Sequence, residues 1–158
     1  MISTQLVSRF GLAASMVLAL TMFTTPASAH LQPWEDYEAS ESVWIVTHVD
    51  LDPGTLGIYL EGLKATWIAA NDVAKELGQI KDYAIYSNQF GGGDDFDLLL
   101  VVEMESTDDI APNRERYDEF LEAYGQANID KGNETVLELY NEIRRIQGNY
   151  LLRRIDLK

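Results

Sequence analysis

The stretch Val43 to Leu51 alternates with the two-residue period of a β-strand and runs straight into a helix-starting pair, Asp52-Pro53. This succession constrains the fold more than any other feature. Val43, Ile45, Thr47, Val49 and Leu51 fall on one face of the predicted strand, and Trp44, Val46, His48 and Asp50 on the other. Apolar residues on both faces predict a strand covered on both sides. An Asp side chain can cap free backbone N–H groups and Pro suits the first helical position, so a helix is expected from Asp52. Leu56, Leu60, Leu63, Trp67, Ala70, Ala74 and Leu77 then recur at spacings of three and four, and Gly78 supplies a stop.

Further along, Ile80 to Asn88 reads as a strand, Gly91-Gly92-Gly93-Asp94-Asp95 as a flexible turn and Phe96 to Glu105 as a second strand, together a β-hairpin. Asn113 to Gln126 is expected to be an acidic helix carrying Tyr117, Phe120, Leu121 and Tyr124 along one side. A second helix is expected to be capped near Asn133, to pack through Val136, Leu137, Tyr140, Ile143 and Ile146, to place Arg144 and Arg145 in its last turn and to end at Gly148. Asn149 to Leu157 reads as the last strand. The order β, α, β, β, α-α, β matches the split βαβ arrangement.

Ahead of this domain the chain carries an address. Arg9 is the only basic residue before Lys64, Phe10 to Phe23 is mostly apolar, and Ala27-Ser28-Ala29 has the small-x-small form that a signal peptidase accepts. That apolar stretch is shorter than the roughly 20 residues a membrane span needs. Residues 1–29 are therefore expected to be a cleaved signal peptide, leaving a chain without a membrane span that begins near His30, in the periplasm or secreted. Residues 30–42 read as an acidic lead-in, aperiodic and exposed, and 43–158 as one α+β domain. With Arg9 removed, 11 basic residues face 26 acidic ones, which argues against nucleic acid as a partner. Arg144, Arg145, Arg153, Arg154 and Lys158 nonetheless make the C-terminal end locally basic. Cysteine is absent, so no disulfide framework, thiol nucleophile or thiolate metal site is available and stability must come from the apolar core.

The strand Val43 to Leu51 running into Asp52-Pro53-Gly54, the Trp67-bearing helix, Lys81-Asp82-Tyr83-Ala84-Ile85-Tyr86 before the glycine-rich hairpin and the closing Tyr150-Leu151-Leu152-Arg153-Arg154 resemble the ferredoxin-like proteins of the dimeric α/β-barrel superfamily. That superfamily includes small monooxygenase-like and stress-responsive barrel families. Two helical stretches between Ser106 and Gly148 stand where such folds usually place one. The resemblance implies a four-stranded antiparallel sheet with helices on one face and a second subunit on the other. A homodimer would cover the apolar residues Trp44, Val46, Leu99 and Val101.

Candidate ligand-pocket residues are Trp44, His48, Tyr86, Glu103 and Arg153. His48 is the one histidine inside a regular element and the candidate general base, although a hydrogen-bonded structural histidine is the commoner outcome. Arg153 and Arg154 can pair with an acidic ligand or, as charges on an edge strand, discourage sheet-to-sheet aggregation; the second reading is preferred. A terminal His30, joined by His48, resembles the copper brace of lytic polysaccharide monooxygenases, a remote alternative that would make these two the metal ligands. Asp94, Asp95 and Asp97 lack calcium-loop spacing, and Gly91-Gly92-Gly93 precedes a strand rather than a phosphate-binding helix. No metal site and no cofactor is expected otherwise. The sequence thus points to an exported homodimeric binding or interaction module with a pocket for a small apolar or aromatic ligand. The alternative is a cofactor-free enzyme of the monooxygenase or isomerase kind.

Overall fold

A computed structural model describes residues 30–90 and 95–158. The expected signal peptide and the Gly91 to Asp94 part of the hairpin turn lie outside the described residues. Strand β1 spans Tyr37–Leu51, and helices α1, Leu56–Leu63, and α2, Ala69–Glu76, are joined by a π-helical turn at Lys64–Ile68. Strands β2, Asp82–Ser87, and β3, Leu98–Met104, form the hairpin. Helix α3 is Arg114–Tyr124 and α4 is Gln126–Thr135, followed by a second π-helical turn at Val136–Tyr140, a short α5 at Asn141–Ile143 and the long strand β4, Arg144–Leu157.

The strands lie in the order β2-β3-β1-β4, every neighbouring pair antiparallel. This is the ferredoxin-like topology, in which β1 and β3 occupy the centre and each helical connection crosses over to an edge strand. The helices pack on the face that presents Val49, Leu51, Leu98 and Leu100. These four close a buried core with Tyr59, Leu63 and Tyr140, and Trp67, Ile85, Val136, Leu139 and Ile143 pack around it. Burying such aliphatic and aromatic side chains stabilises the fold by about 1.5–3 kcal/mol each. Among the described residues no helix is long and apolar enough to cross a membrane.

Four element starts differ markedly from expectation, three of them because a non-local partner overrides the local signal. Strand β1 starts at Tyr37 rather than Val43, since Tyr37, Glu38 and Ala39 pair with Leu157, Asp156 and Ile155 of β4. The acidic character of this stretch is accommodated at the sheet's edge, where Glu38 forms an ion pair with Lys158. Helix α1 starts at Leu56, not at Asp52, because the Asp52 N–H donates to the Ile143 carbonyl at 2.9 Å and its carboxylate accepts from Arg145 at 3.2 Å. Gly54, at φ 85°, turns the chain between the strand and the helix. The second C-terminal helix begins at Gln126, directly after Gly125 at φ 84°, so Asn133 lies inside it and caps nothing. Finally, β4 begins at Arg144, not Asn149: Leu51 pairs with Arg144 and Asp50 with Arg145, whose guanidinium lies 2.9 Å from the Asp50 carboxylate.

Candidate functional site

Cross-strand register decides which of the candidate residues meet. Trp44 of β1 stands opposite Glu103 of β3 on one side and Leu152 of β4 on the other, and Val46 opposite Val101 and Tyr150. Because directly paired residues share a face, these side chains line the sheet surface away from the helices. Trp44, Val46, Tyr86, Val101, Leu152, Arg153 and Arg154 border a shallow hollow of about 390 Å³ there. An adjoining hollow of about 70 Å³ shares Trp44, Tyr86 and Val101 and adds Asp82 and Glu103. Four of the five expected pocket residues are thus gathered, with Glu103 held by Lys81 at 3.1 Å. Arg153 pairs with Val43, so its Cα belongs to the opposite side of the pleat from Trp44 and it reaches the hollow from the edge.

His48 stands apart from them. It shares a row with Leu99 and Tyr86, Leu99 lying between the two. Its ring sits 4.6 Å from Phe96 and 4.7 Å from Tyr150, and it borders neither hollow. Gly148, opposite His48, makes this packing possible, because a Cβ there would come within 2.8 Å of the Tyr150 ring. No hydrogen bond reaches the His48 side chain among the described residues, so nothing in its surroundings assigns it a proton partner. His30 is exposed, and among the described residues no group of three or more His, Asp or Glu side chains is placed to hold a metal ion.

A second site, on the helical side, lies among residues to which the sequence assigns no binding role. The two π-helical turns face one another across a groove of about 330 Å³, bordered by Thr66 and Trp67 of the first and Val136 and Tyr140 of the second. Helices α3 and α4 complete its walls with Phe120, Tyr124, Asn128, Ile129, Gly132 and Asn133, and Arg144 closes one part of it. A π-helical turn leaves carbonyls out of the ordinary helical ladder, and side chains take them up here: Tyr124 donates to the Thr66 carbonyl at 3.3 Å and Asn71 to that of Trp67 at 2.7 Å.

Behind the groove lies a buried aromatic and cationic cluster. The Tyr59 and Tyr140 rings meet edge to face at 4.9 Å, and the Arg144 guanidinium lies 4.6 Å from the Tyr140 ring centroid and 5.5 Å from that of Tyr59. One N–H of Arg144 donates to the Tyr59 hydroxyl at 2.7 Å, while the Tyr140 and Thr66 hydroxyls share a hydrogen bond of 3.1 Å. Burial pushes both phenols above their ordinary range, so both stay neutral; Arg144 pulls each of them part of the way back. Gly62 is required at this point, because a Cβ would meet the Tyr140 hydroxyl at 2.6 Å. Arg144 had been expected in a helix's last turn. The signal that could have found its role is the aromatic pair Tyr59 and Tyr140, of which Tyr59, three residues after Leu56 and four before Leu63, fits the helical spacing as well as Leu60 does, and each carries a hydroxyl that needs a partner.

Strand order, a helix-covered face and an open opposite face define a ferredoxin-like α+β domain. No protein-family model matches the chain, and no curated protein matches it either. Solved structures with some likeness include a NIPSNAP family protein of unknown function from Agrobacterium tumefaciens, with a TM-score of 0.45 and 14% identity, covering 75% of this chain and 90% of that one. A NIPSNAP-like domain protein from Burkholderia xenovorans gives 0.43 and 15%, covering 75% and 85%. A dimeric protein of unknown function and ferredoxin-like fold from Bacteroides fragilis gives 0.40 and 12%, covering 74% and 98%. At these scores the strand order, and not the likeness, defines the fold.

Proposed function

We propose that this protein is an exported homodimeric binding module whose two sheets meet through their open faces, closing the hollow around Trp44 and Tyr86 into a pocket for a small apolar or aromatic molecule. The carrying observation is the state of the open face and of β4. Tyr86 is 58% and Leu152 50% exposed, and no helix of the described residues borders the hollows they line. Isolated apolar side chains are common on a protein surface, but a contiguous sheet face of them calls for a cover.

A second copy fits that surface by charge as well as by polarity. Arg153 and Arg154 stand at the β4 edge of the hollow, whereas Asp82 and Glu103 stand toward β2 and β3. A two-fold axis lying between the sheets along the strands would lay the β4 edge of one copy over the β2 edge of the other, where Asp82 and Glu103 already hold Lys75 and Lys81. Sedimentation velocity tests this: the protein should sediment as a dimer, and Trp44→Glu should convert it to a folded monomer. Export rests on residues 1–29, and N-terminal sequencing of the protein recovered outside the cytoplasm should begin at His30. An intact Met1 there would contradict the export reading.

A further inference from the structure

Arg144 is the one described cation that is partly buried and has no carboxylate beside it. The other cation with limited exposure, Arg116, has Asp109 at 3.0 Å. Lys75, Lys81, Arg114, Arg145, Arg154 and Lys158 are exposed and all form ion pairs, while Lys64, Lys131 and Arg153 are exposed without one. A chain with a formal net charge of −14 has ample acid to neutralise a guanidinium, yet Arg144 is served by one phenol oxygen and two ring faces. No buried side-chain donor among the described residues lacks a partner, so the remaining N–H groups of Arg144 are accessible and can meet an anion.

That cation borders the inter-helix groove, whose remaining lining is neutral. Trp67, Phe120, Tyr124, Ile129 and Val136 give it apolar and aromatic walls, with Asn133 as a polar neighbour. A volume of about 330 Å³ falls at the lower end of the range of small-molecule sites, which bind through apolar walls and a few placed polar groups. A single guanidinium matches a single negative charge, and its planar fork matches a carboxylate. We infer that the groove between the two π-helical turns binds a small aromatic carboxylate, with its ring system against Trp67 and Phe120 and its carboxylate on Arg144. The site is separate from the sheet face and does not depend on dimerisation.

The two π-helical turns give the groove its shape. They set Thr66 and Tyr140 on opposite walls and join them by the shared hydroxyl bond, so the back of the groove is formed before any ligand arrives. Gly132 on α4 has nothing within 4 Å of a Cβ position, so a larger side chain there occupies groove space without disturbing the packing beneath.

The test is calorimetric titration of the protein with naphthalene carboxylate and with the neutral naphthalene carboxamide. The carboxylate is expected to bind about tenfold tighter or more, the preference that a charge-assisted hydrogen bond provides. Arg144→Gln should erase that preference while leaving weak binding of both compounds, and Gly132→Leu should abolish binding of both. Should Arg144→Gln fail to fold, the ligand pair and Gly132→Leu still decide. Equal affinity for the two compounds, no binding of either, or binding untouched by Gly132→Leu would each overturn the assignment.

Discussion

The two faces of the sheet use the same alternation and end in opposite states. On the helical face, Val49, Leu98 and Leu100 are buried against Tyr59 and Leu63 within the chain. On the open face, Trp44, Val101 and Leu152 form a surface of similar polarity whose outer side stays at the boundary with solvent. One face is therefore covered from within the chain, and the other is left for the second copy proposed to cover it. A change on the first should unfold the protein, and a change on the second should separate or empty it.

The largest expected effect breaks the helical face. Leu63→Ala should destabilise the protein by about 2–5 kcal/mol, because a fully buried core side chain loses its packing, and a lowered urea midpoint checks it. Next comes the open face, where Trp44→Glu should weaken self-association by about a hundredfold or more, as central aromatic anchors do. The urea midpoint of that variant should no longer depend on protein concentration. Gly62→Ala should cost about 1–3 kcal/mol by displacing the Tyr140 ring, whereas the same change at Gly57, with nothing within 4 Å of a Cβ, should not destabilise the helix.

The smallest effect sharpens the comparison at the helical face's margin. The Tyr83 hydroxyl donates to the Asp72 carboxylate, which pushes the phenol up from its ordinary value near 10 to about 12, with burial and the charges of Asp72 and Asp82 adding to the shift. A phenol whose ionisation is raised on folding contributes stability that is complete below pH 10 and is lost as the pH climbs toward 12. Tyr83→Phe should remove a late-titrating component from the tyrosinate absorbance curve while changing stability by about 0.5–1.5 kcal/mol at neutral pH.

Element types and their order were legible, because the β1 alternation and the Leu56 to Leu77 repeat are strong local periodicities. So was the sharing of one face by Trp44 and Val46, which follows from the two-residue period alone. What local reasoning missed depends on pairing at a distance. Tyr37 to Ser42 becomes strand because β4 runs alongside it, and Arg144 and Arg145 become strand because β1's Asp50 and Leu51 stand opposite them. Strand propensity is weak against such partners. Trp44 and Glu103 meet because the β1 and β3 register places them in one row, whereas His48 lies in the row of Leu99 with its ring against Phe96 and Tyr150. The groove was hidden for a related reason. It depends on two π-helical turns, which interrupt a repeat too briefly to alter its three-and-four spacing.

Sedimentation velocity of the wild-type protein beside Trp44→Glu decides whether the open face is paired with a second copy. The wild type should sediment with twice the chain mass at micromolar concentration, and the variant as a single folded chain. A wild-type protein that stays a monomer as its concentration rises, or a Trp44→Glu variant that remains dimeric, would contradict that pairing.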